Sequence, residues 1–361
     1  MLILRSNSPF VQAIREIKGK PHWLRSRVIP LGVEYIGGSE LLVEADTAGK
    51  GFSRKDLQKV MEKVVIIIKG RLSIKDVKKA RVIILGENRI MAQLPGITEP
   101  ESTMRLIGST GLLEFRFLAD PQTTMKVFSK MDQYLSGGTL GSARPFSGYL
   151  VPAGSDAAVE KSNYRAFKGL VEETRSVVPA DAEILFGPEE EAEGRTIRKV
   201  YVVKKKAEIT GADIKDAKAM LYQGSVPNYQ GTWMVSMDLQ RSGQVRFADV
   251  TGNNVGERLA IVLDDVVKSA PVIKERIPPG SAATITSNDR VGNEMSDLAI
   301  LIRHGALPVP LEIVGVKPLP FNKQKCQVLA AFIMGMIVSG GGLVFLGSFL
   351  VLKKKSHNFS E

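Results

Sequence analysis

Between Cys326 and Leu352 the chain carries no aspartate, glutamate, lysine, arginine or histidine. Wound as an α-helix at about 1.5 Å per residue, such a stretch is longer than the ~30 Å hydrocarbon core of a bilayer. The sequence therefore predicts a transmembrane helix over 326–352, long enough to span with some tilt. Lys353, Lys354 and Lys355 close its far end, against Lys323 and Lys325 at the near end. That surplus puts the basic tail 353–361 in the cytoplasm and the bulk of the chain outside it, a single-pass inner-membrane protein. Ala331, Gly335 and Ser339 recur at every fourth position of the span, a face of small residues on which a partner helix can approach closely, and Gly340–Gly342 thin the helix further. With no ionisable side chain in it, this span by itself has nothing with which to relay protons.

The opposite end raises a question of export. In the basic segment 1–29, Arg5, Arg15, Lys18, Lys20, Arg25 and Arg27 surround short apolar pieces such as "PFVQAI", which are neither a secretory signal nor a first span. Either an export element lies upstream of this start, or the chain is tail-anchored with its body in the cytoplasm.

The 361 residues, 44% hydrophobic and 24% charged, suffice for two or three folded domains. The net charge of +11 is spread along the chain, and only 6% of residues are aromatic, which argues against nucleic acid and fits an anionic lipid surface as well. A lone Cys326 excludes an internal disulfide, and His22, His304 and His357 stand far apart, so no zinc site and no cofactor is expected.

From residue 31 the pattern reads strand, helix, strand, strand, helix, strand. "SELLVEAD" is a strand, and Ser53 with Asp56 resembles a capping box that opens a helix whose Leu57, Val60, Met61, Val64, Val65 and Ile68 form one apolar face. "RVIIL" and "RIMAQL" are joined at Gly86-Glu87-Asn88 as a hairpin. Leu94, Pro95, Gly96 and Ile97 then form a rigid corner: proline pre-sets one turn dihedral and glycine supplies the positive φ after it. Thr98 and Glu101 suggest a second cap, Gly108 a helix stop, and "GLLEFRFL" alternates as a closing strand. This order is that of a split βαβ, ferredoxin-like unit.

Beyond Asp120, the Gly/Ser/Pro-rich 135–156 and the acidic "PEEEAEGR" at 188–195 read as exposed loops. A second α+β block comes next: a strand in "TIRKVYVVKKKAEI", a helix over 210–221, a strand in "TWMVSMDL", a short helix in "SGQVRFADVTG", and two strands turned at Asp264 and Asp265. "GSAATIT" and a helix in "GNEMSDLAILIRHG" close it. The paired aspartates suit a turn better than acid–base or metal chemistry, because no third carboxylate or histidine lies near them in sequence. Gly37-Gly38 lack the spacing of a phosphate loop and fit a bend before a strand. Lys204–Lys206 read as a solvated strand end, with lipid headgroups or an acidic polypeptide as the alternative.

Together these stretches resemble the SecD family, the membrane subunit that pairs with SecF beside the Sec protein-export channel. "NRIMAQLPGI" followed by "LIGSTGLLEFRF" is similar to the family's strand, Leu-Pro-Gly-Ile turn, helix and Leu-Glu-Phe-Arg strand. "GVEYIGGSELLVEAD" is a looser version of its opening segment, with Tyr35 and Ile36 departing. "SGQVRFADVTGNNVGERLAIVLDDVVKSAPVI", with Gly243, Phe247, Thr251, Leu263, Asp264 and Pro271, resembles its distal lobe, and "LAILIRHGALPVPLEIV" the return toward the membrane. The resemblance implies an α+β fold: a ferredoxin-like βαββαβ base over 30–118 and 306–320, an inserted α+β head over 119–305, and one C-terminal transmembrane helix. It also implies a head that binds unfolded translocating polypeptide, with a SecF-like subunit, Sec channel components and the lipid bilayer as partners. No enzymatic catalysis is expected, and the later spans that would couple export to protons do not follow residue 352. The alternative is a passive membrane-anchored adaptor that keeps the fold without export activity. Hydrolytic chemistry at Asp264 and Asp265 is a third reading.

Overall fold

The computed structural model describes residues 37–49, 51–74, 80–137, 145–223, 230–286 and 292–321. The segment 1–29, the span 326–352 with Ala331, Gly335 and Ser339, and the tail 353–361 lie outside these residues. Among the described residues no helix is long and apolar enough to cross a membrane. The fold is mixed α and β, in two compact units: 37–45, 72–74, 80–104 and 312–321 form the first, and the described residues of 46–71 and 105–311 form the second.

The first unit is built on a four-stranded sheet. Numbered along the chain, β1 (Gly38–Ala45), β2 (Arg81–Leu85), β3 (Arg89–Pro95) and β14 (Leu311–Leu319) stand in the order β14-β1-β3-β2. β1 and β3 pair antiparallel with Leu41 opposite Ala92, and β2 and β3 form the hairpin, with Gly86 at φ +66° in its turn. The period-two pattern sorts the faces: Leu41, Val43, Ile90, Ala92 and Leu94 are buried, while Gln93 donates to Glu40 and Arg89 to Glu44 on the other side.

At the end of β3 the chain turns through Leu94–Ile97. Gly96 has φ +74°, and the Ile97 amide donates to the Leu94 carbonyl at 3.3 Å. Gly37 and Gly38 make this corner possible from the other strand. Gly38 sits at φ +138°, and a β-carbon there would lie 2.1 Å from the Leu94 carbonyl oxygen. The Gly96 amide donates to the Gly37 carbonyl, and Ser39 Oγ to the Ile97 carbonyl at 2.7 Å. A bend before a strand is what the paired glycines supply, with close backbone approach as its reason.

The second unit contains a sheet that closes on itself. Its strands are β4 (Leu113–Leu118), β5 (Leu150–Ala153), β6 (Asp156–Glu160), β7 (Ala182–Ala192), β8 (Arg195–Thr210), β11 (Leu259–Leu263) and β12 (Val266–Ser269). They run β4-β11-β12-β7-β8-β6-β5, and β4 also pairs with β8, so five strands make a ring from which β6 and β5 extend. Side chains alternate between its faces. From β11, Ala260 and Val262 point inward to join Leu185, Tyr201, Val203 and Val267. Leu259, Ile261 and Leu263 point outward with Phe115 and Phe117. That outer face packs on the three-stranded sheet of β9 (Ile214–Leu221), β10 (Trp233–Leu239) and β13 (Ala283–Thr286), and on α5 (Arg241–Asn253) and α6 (Asn293–His304). Elsewhere Val200 and Val202 of β8, with Ala182 and Ile184 of β7, face α3 (Pro121–Gly137) and α4 (Tyr164–Glu173) around Phe146 and Phe167.

α1 (Arg54–Ile74) starts where its cap is: the Asp56 amide donates to Ser53 Oγ at 3.2 Å, and Ser53 returns a bond to the Asp56 carboxylate at 2.7 Å. Its Met61, Val64 and Ile68 are fully buried. α2 runs from Glu101 to Gly108.

Four local readings of the sequence are corrected. The described part of 135–156 is not an exposed loop: α3 runs to Gly137, Phe146 is buried against Phe167, and Leu150–Ala153 is β5. Leu113–Leu118 does not close the first sheet, where β14 pairs with β1; it lies between β11 and β8 in the ring. Alternation identifies a strand but not its partner. Residues 210–221 are not a helix: after a short turn, β9 carries a register shift opposite Asp238 and Leu239, which puts Ile214 and Ala217 three apart on the same buried side and imitates helical spacing. The acidic 188–195 is not a loop but the end of the β7–β8 hairpin. Glu189 pairs with Lys161 and Arg198, Glu190 with Lys199, and the turn is confined to Glu193-Gly194.

The close approach at Gly38 yields a comparison. Gly38→Ala is expected to lower unfolding free energy in urea by at least about 2 kcal/mol, because both its φ and the Leu94 carbonyl resist a β-carbon. Gly86→Ala, where φ is positive and the space is open, is expected to cost about 1 kcal/mol. Equal losses at the two positions would show that the corner is not tightly packed.

Candidate functional site

An arginine without exposed surface lies near the C-terminal end of α1. Arg71 donates to the carbonyls of Leu106 (2.9 Å), Ser109 (2.6 Å), Thr110 (3.1 Å) and Gly305 (2.9 Å). These acceptors belong to the C-terminal ends of α2 and α6 and to the residues just beyond them, where helix carbonyls lack partners and the macrodipole is negative. One cation thus serves two helix ends. Burial lowers the Arg71 pKa to about 10, an effect that the negative charge of Asp264 opposes. Gly111, at φ +73°, leaves room for the guanidinium: a β-carbon there would sit 2.5 Å from Nη2.

Asp264 holds the same loop by its donors. Its carboxylate accepts from the Ser109 and Thr110 hydroxyls and from the amides of Gly111 (3.1 Å) and Leu112 (2.9 Å). Burial by itself raises this carboxyl's pKa; the four hydrogen bonds outweigh it and hold the group below the usual carboxylate range. Asp264 and Asp265 form the β11–β12 turn, at φ +50° and +61°. Beside Arg71, the imidazole of His304 packs on Gly70, where a β-carbon would come within 2.4 Å of Nδ1. Burial and then the charges of Arg303 and Arg71 keep this histidine's pKa low.

The other residues of the distal-lobe motif occupy supporting positions. Gly243 lets α5 approach the backbone of Asp213, Phe247 meets Phe115 edge-on at 5.8 Å, and Leu263 is buried on the outer face of the ring. Thr251 accepts from the Ile277 amide at 2.9 Å, and the Pro271 carbonyl accepts from Leu259. Leu94, Pro95, Gly96 and Ile97 lie in the first unit, at the corner already described. Sequence reasoning passed over Arg71, Ser109, Thr110 and Gly111. One signal was present: Arg71 falls three residues after Ile68, on the apolar stripe of α1.

Two clefts open on the second unit. One, of about 700 Å³, runs past Leu118, Met125, Phe128, Tyr201, Arg258 and Val272. Met125 is 72% exposed and Val272 51%, so apolar surface is offered to solvent. Arg258 closes on both carboxylate oxygens of Asp156 and donates to the Ala270 carbonyl at 3.1 Å, which fixes one wall. Burial raises the pKa of the Tyr201 phenol beside that pair, and Asp156 adds to the effect. The other cleft, of about 640 Å³, lies where β7 and β12 diverge and is mainly polar. Among the described residues no group of three or more histidine, cysteine or carboxylate side chains is placed to hold a metal ion. The arrangement presents surfaces for binding.

The sequence that folds into the ringed α+β unit and the four-stranded sheet is similar to that of protein translocase subunits. Residues 187–309 match the family model of the SecDF P1 head subdomain, and residues 61–120 match that of the N-terminal part of the P1 domain of protein translocase subunit SecDF. Protein translocase subunit SecD of Endomicrobium trichonymphae is 29% identical over 324 residues, 90% of this chain and 60% of that protein. SecD of Elusimicrobium minutum is 30% identical over 300 residues, 80% of this chain and 52% of that protein. A crystal structure of SecDF in its super-membrane-facing form shares the fold, with a TM-score of 0.53 and 23% identity over 91% of this chain and 37% of that one. The chain belongs to the SecD family and contains its first extracytoplasmic domain. It spans between half and three-fifths of the length of these relatives.

The clamp on residues 109–112 predicts a pH dependence. A carboxyl held below its ordinary value stabilises the fold above about pH 4, and this contribution is lost as pH falls through the folded-state value. Asp264→Asn is expected to cost about 1–3 kcal/mol at pH 7 and to flatten the acid limb of stability measured by urea unfolding. Arg71→Met takes the donor from the Leu106, Ser109 and Gly305 carbonyls, while Thr110 keeps the Leu307 amide, and is expected to cost about 3–5 kcal/mol.

Proposed function

We propose that the chain acts in Sec-dependent protein export as a SecD-type accessory subunit, its second unit holding a segment of unfolded translocating polypeptide outside the cytoplasm. The observation that carries this reading is the apolar cleft beside α3 within a domain whose residues 187–309 match the SecDF head subdomain. An unfolded chain exposes apolar side chains, and Met125, Phe128 and Val272 offer adaptable surface without demanding one shape. On this reading the first sheet, in the order β14-β1-β3-β2, belongs to a ferredoxin-like base, and the head begins before residue 119, since β4 (Leu113–Leu118) pairs within the ring. The partners are a SecF-like subunit, Sec channel components and the bilayer, with 326–352 as the span. The protein supplies binding, not covalent catalysis.

A photo-crosslinking residue at Met125 or Val272, in cells with a stalled secretory protein, is expected to capture that polypeptide. The same residue at Val245, exposed on α5, is expected not to. Met125→Asp should weaken capture at least ten-fold while leaving stability within about 0.5 kcal/mol, since the side chain is exposed. Equal capture at Val245, or none at any position, overturns the proposal.

A further inference from the structure

The ring of the second unit has one weak seam. β7 and β12 run parallel and pair only at Phe186 and Val266, whereas β11 and β4 pair over five positions and β7 and β8 over nine. Before Phe186 the chain of β12 is already turning away through Asp264-Asp265, and the cleft of about 640 Å³ opens in the gap. One wall of it is the edge of β7 itself, Ala182 to Phe186.

Register fixes which backbone groups face that gap. The Lys205 amide donates to the Asp181 carbonyl at 2.7 Å, and Ala182 stands opposite Lys204. Along an antiparallel pair, residues with both groups turned to the partner alternate with residues whose groups turn away. Asp181, Glu183 and Leu185 therefore face β8, while Ala182, Ile184 and Phe186 face the other side. The opposite strand gives the same phase: the Val202 carbonyl, across from Ile184, points away from β7 and accepts from Ala119 at 2.8 Å. Phe186 uses its outward groups in the single pairing with β12, and the Ala182 amide is taken by the Pro179 carbonyl. The amide and carbonyl of Ile184 and the carbonyl of Ala182 are left facing the cleft. Among the described residues no strand pairs with β7 on this side before Phe186.

We infer that this edge accepts a short extended segment of polypeptide as an added strand, by main-chain hydrogen bonds to Ile184 and Ala182. An open row of backbone donors and acceptors is complementary to another backbone and indifferent to its side chains, the property needed to hold unfolded chains of any sequence. The cleft's charges agree, since Lys168, Arg175 and Lys205 stand with Glu172, Glu183 and Asp265, and neither sign prevails. The inference rests on the proposed function for the nature of the occupant, and it adds a second binding mode at a different cleft.

The test uses the full chain in detergent and two fluorescent decapeptides of identical Val/Thr-rich sequence, one of them N-methylated at every residue so that neither edge of its backbone can donate. The unmodified peptide is expected to bind at least ten-fold more tightly and to slow hydrogen exchange at the Ile184 amide. Met125→Asp should leave this exchange effect unchanged, because the apolar cleft is separate. Equal affinity of the two peptides, or unaltered exchange at Ile184, overturns strand addition even where crosslinking at Met125 upholds polypeptide binding. Binding of neither peptide together with no crosslink at Met125 overturns both readings. Peptide-independent protection of Ile184 at high protein concentration, with a doubled mass, would assign the edge to a second copy of this chain and likewise overturn the inference.

Discussion

Much of the second unit depends on one loop held from two sides. Ser109 and Thr110 give their carbonyls to Arg71 and their hydroxyls to Asp264, whose carboxylate also accepts from the amides of Gly111 and Leu112, so that a cation on α1 and an anion on the β11–β12 turn hold four successive residues between them. The loop delivers the chain from α2 into β4, and β4 is the strand that closes the ring against β8. Because Arg71 also binds the Gly305 carbonyl, the end of α6 is tied to the same point. A charge buried without a directly bonded counter-ion is ordinarily expensive; here four carbonyls at and just beyond helix ends accept from it, which offsets the cost.

The ring so closed uses both faces of its strands. β11 is buried at every position because its odd-numbered residues pack against α5 and α6 and its even-numbered ones fill the interior. With its interior filled, the ring leaves binding to its margins. There two unlike clefts occur, one offering apolar side chains and the other an unpaired backbone edge. They suit the two features common to all unfolded chains, exposed apolar groups and an unpaired main chain.

Several elements were legible because their signals are local. The Ser53 cap, the Gly86 turn, α5, α6 and the Asp264-Asp265 turn arise from residue types at short spacings. The failures share a cause: each needed a partner from elsewhere in the chain. β9 imitates a helix because a bulge opposite β10 shifts its phase, and the acidic 188–195 forms a hairpin because Arg198 and Lys199 meet its glutamates across the strands. Asp264 was legible as a turn residue but not as a clamp, since its partners lie more than 150 positions away.

The sequence by itself determined the strands and helices with strong periodicity, the glycine corners that only a residue without a β-carbon can occupy, and the resemblance to SecD. Only the tertiary structure decided which strands neighbour which, where the ring is sealed and where its seam is loose, and which charges are buried. The reason is physical: periodicity records which face of an element avoids water, but hydrogen-bond partners across a sheet and carbonyls offered to a buried arginine are set by chain segments far away in sequence.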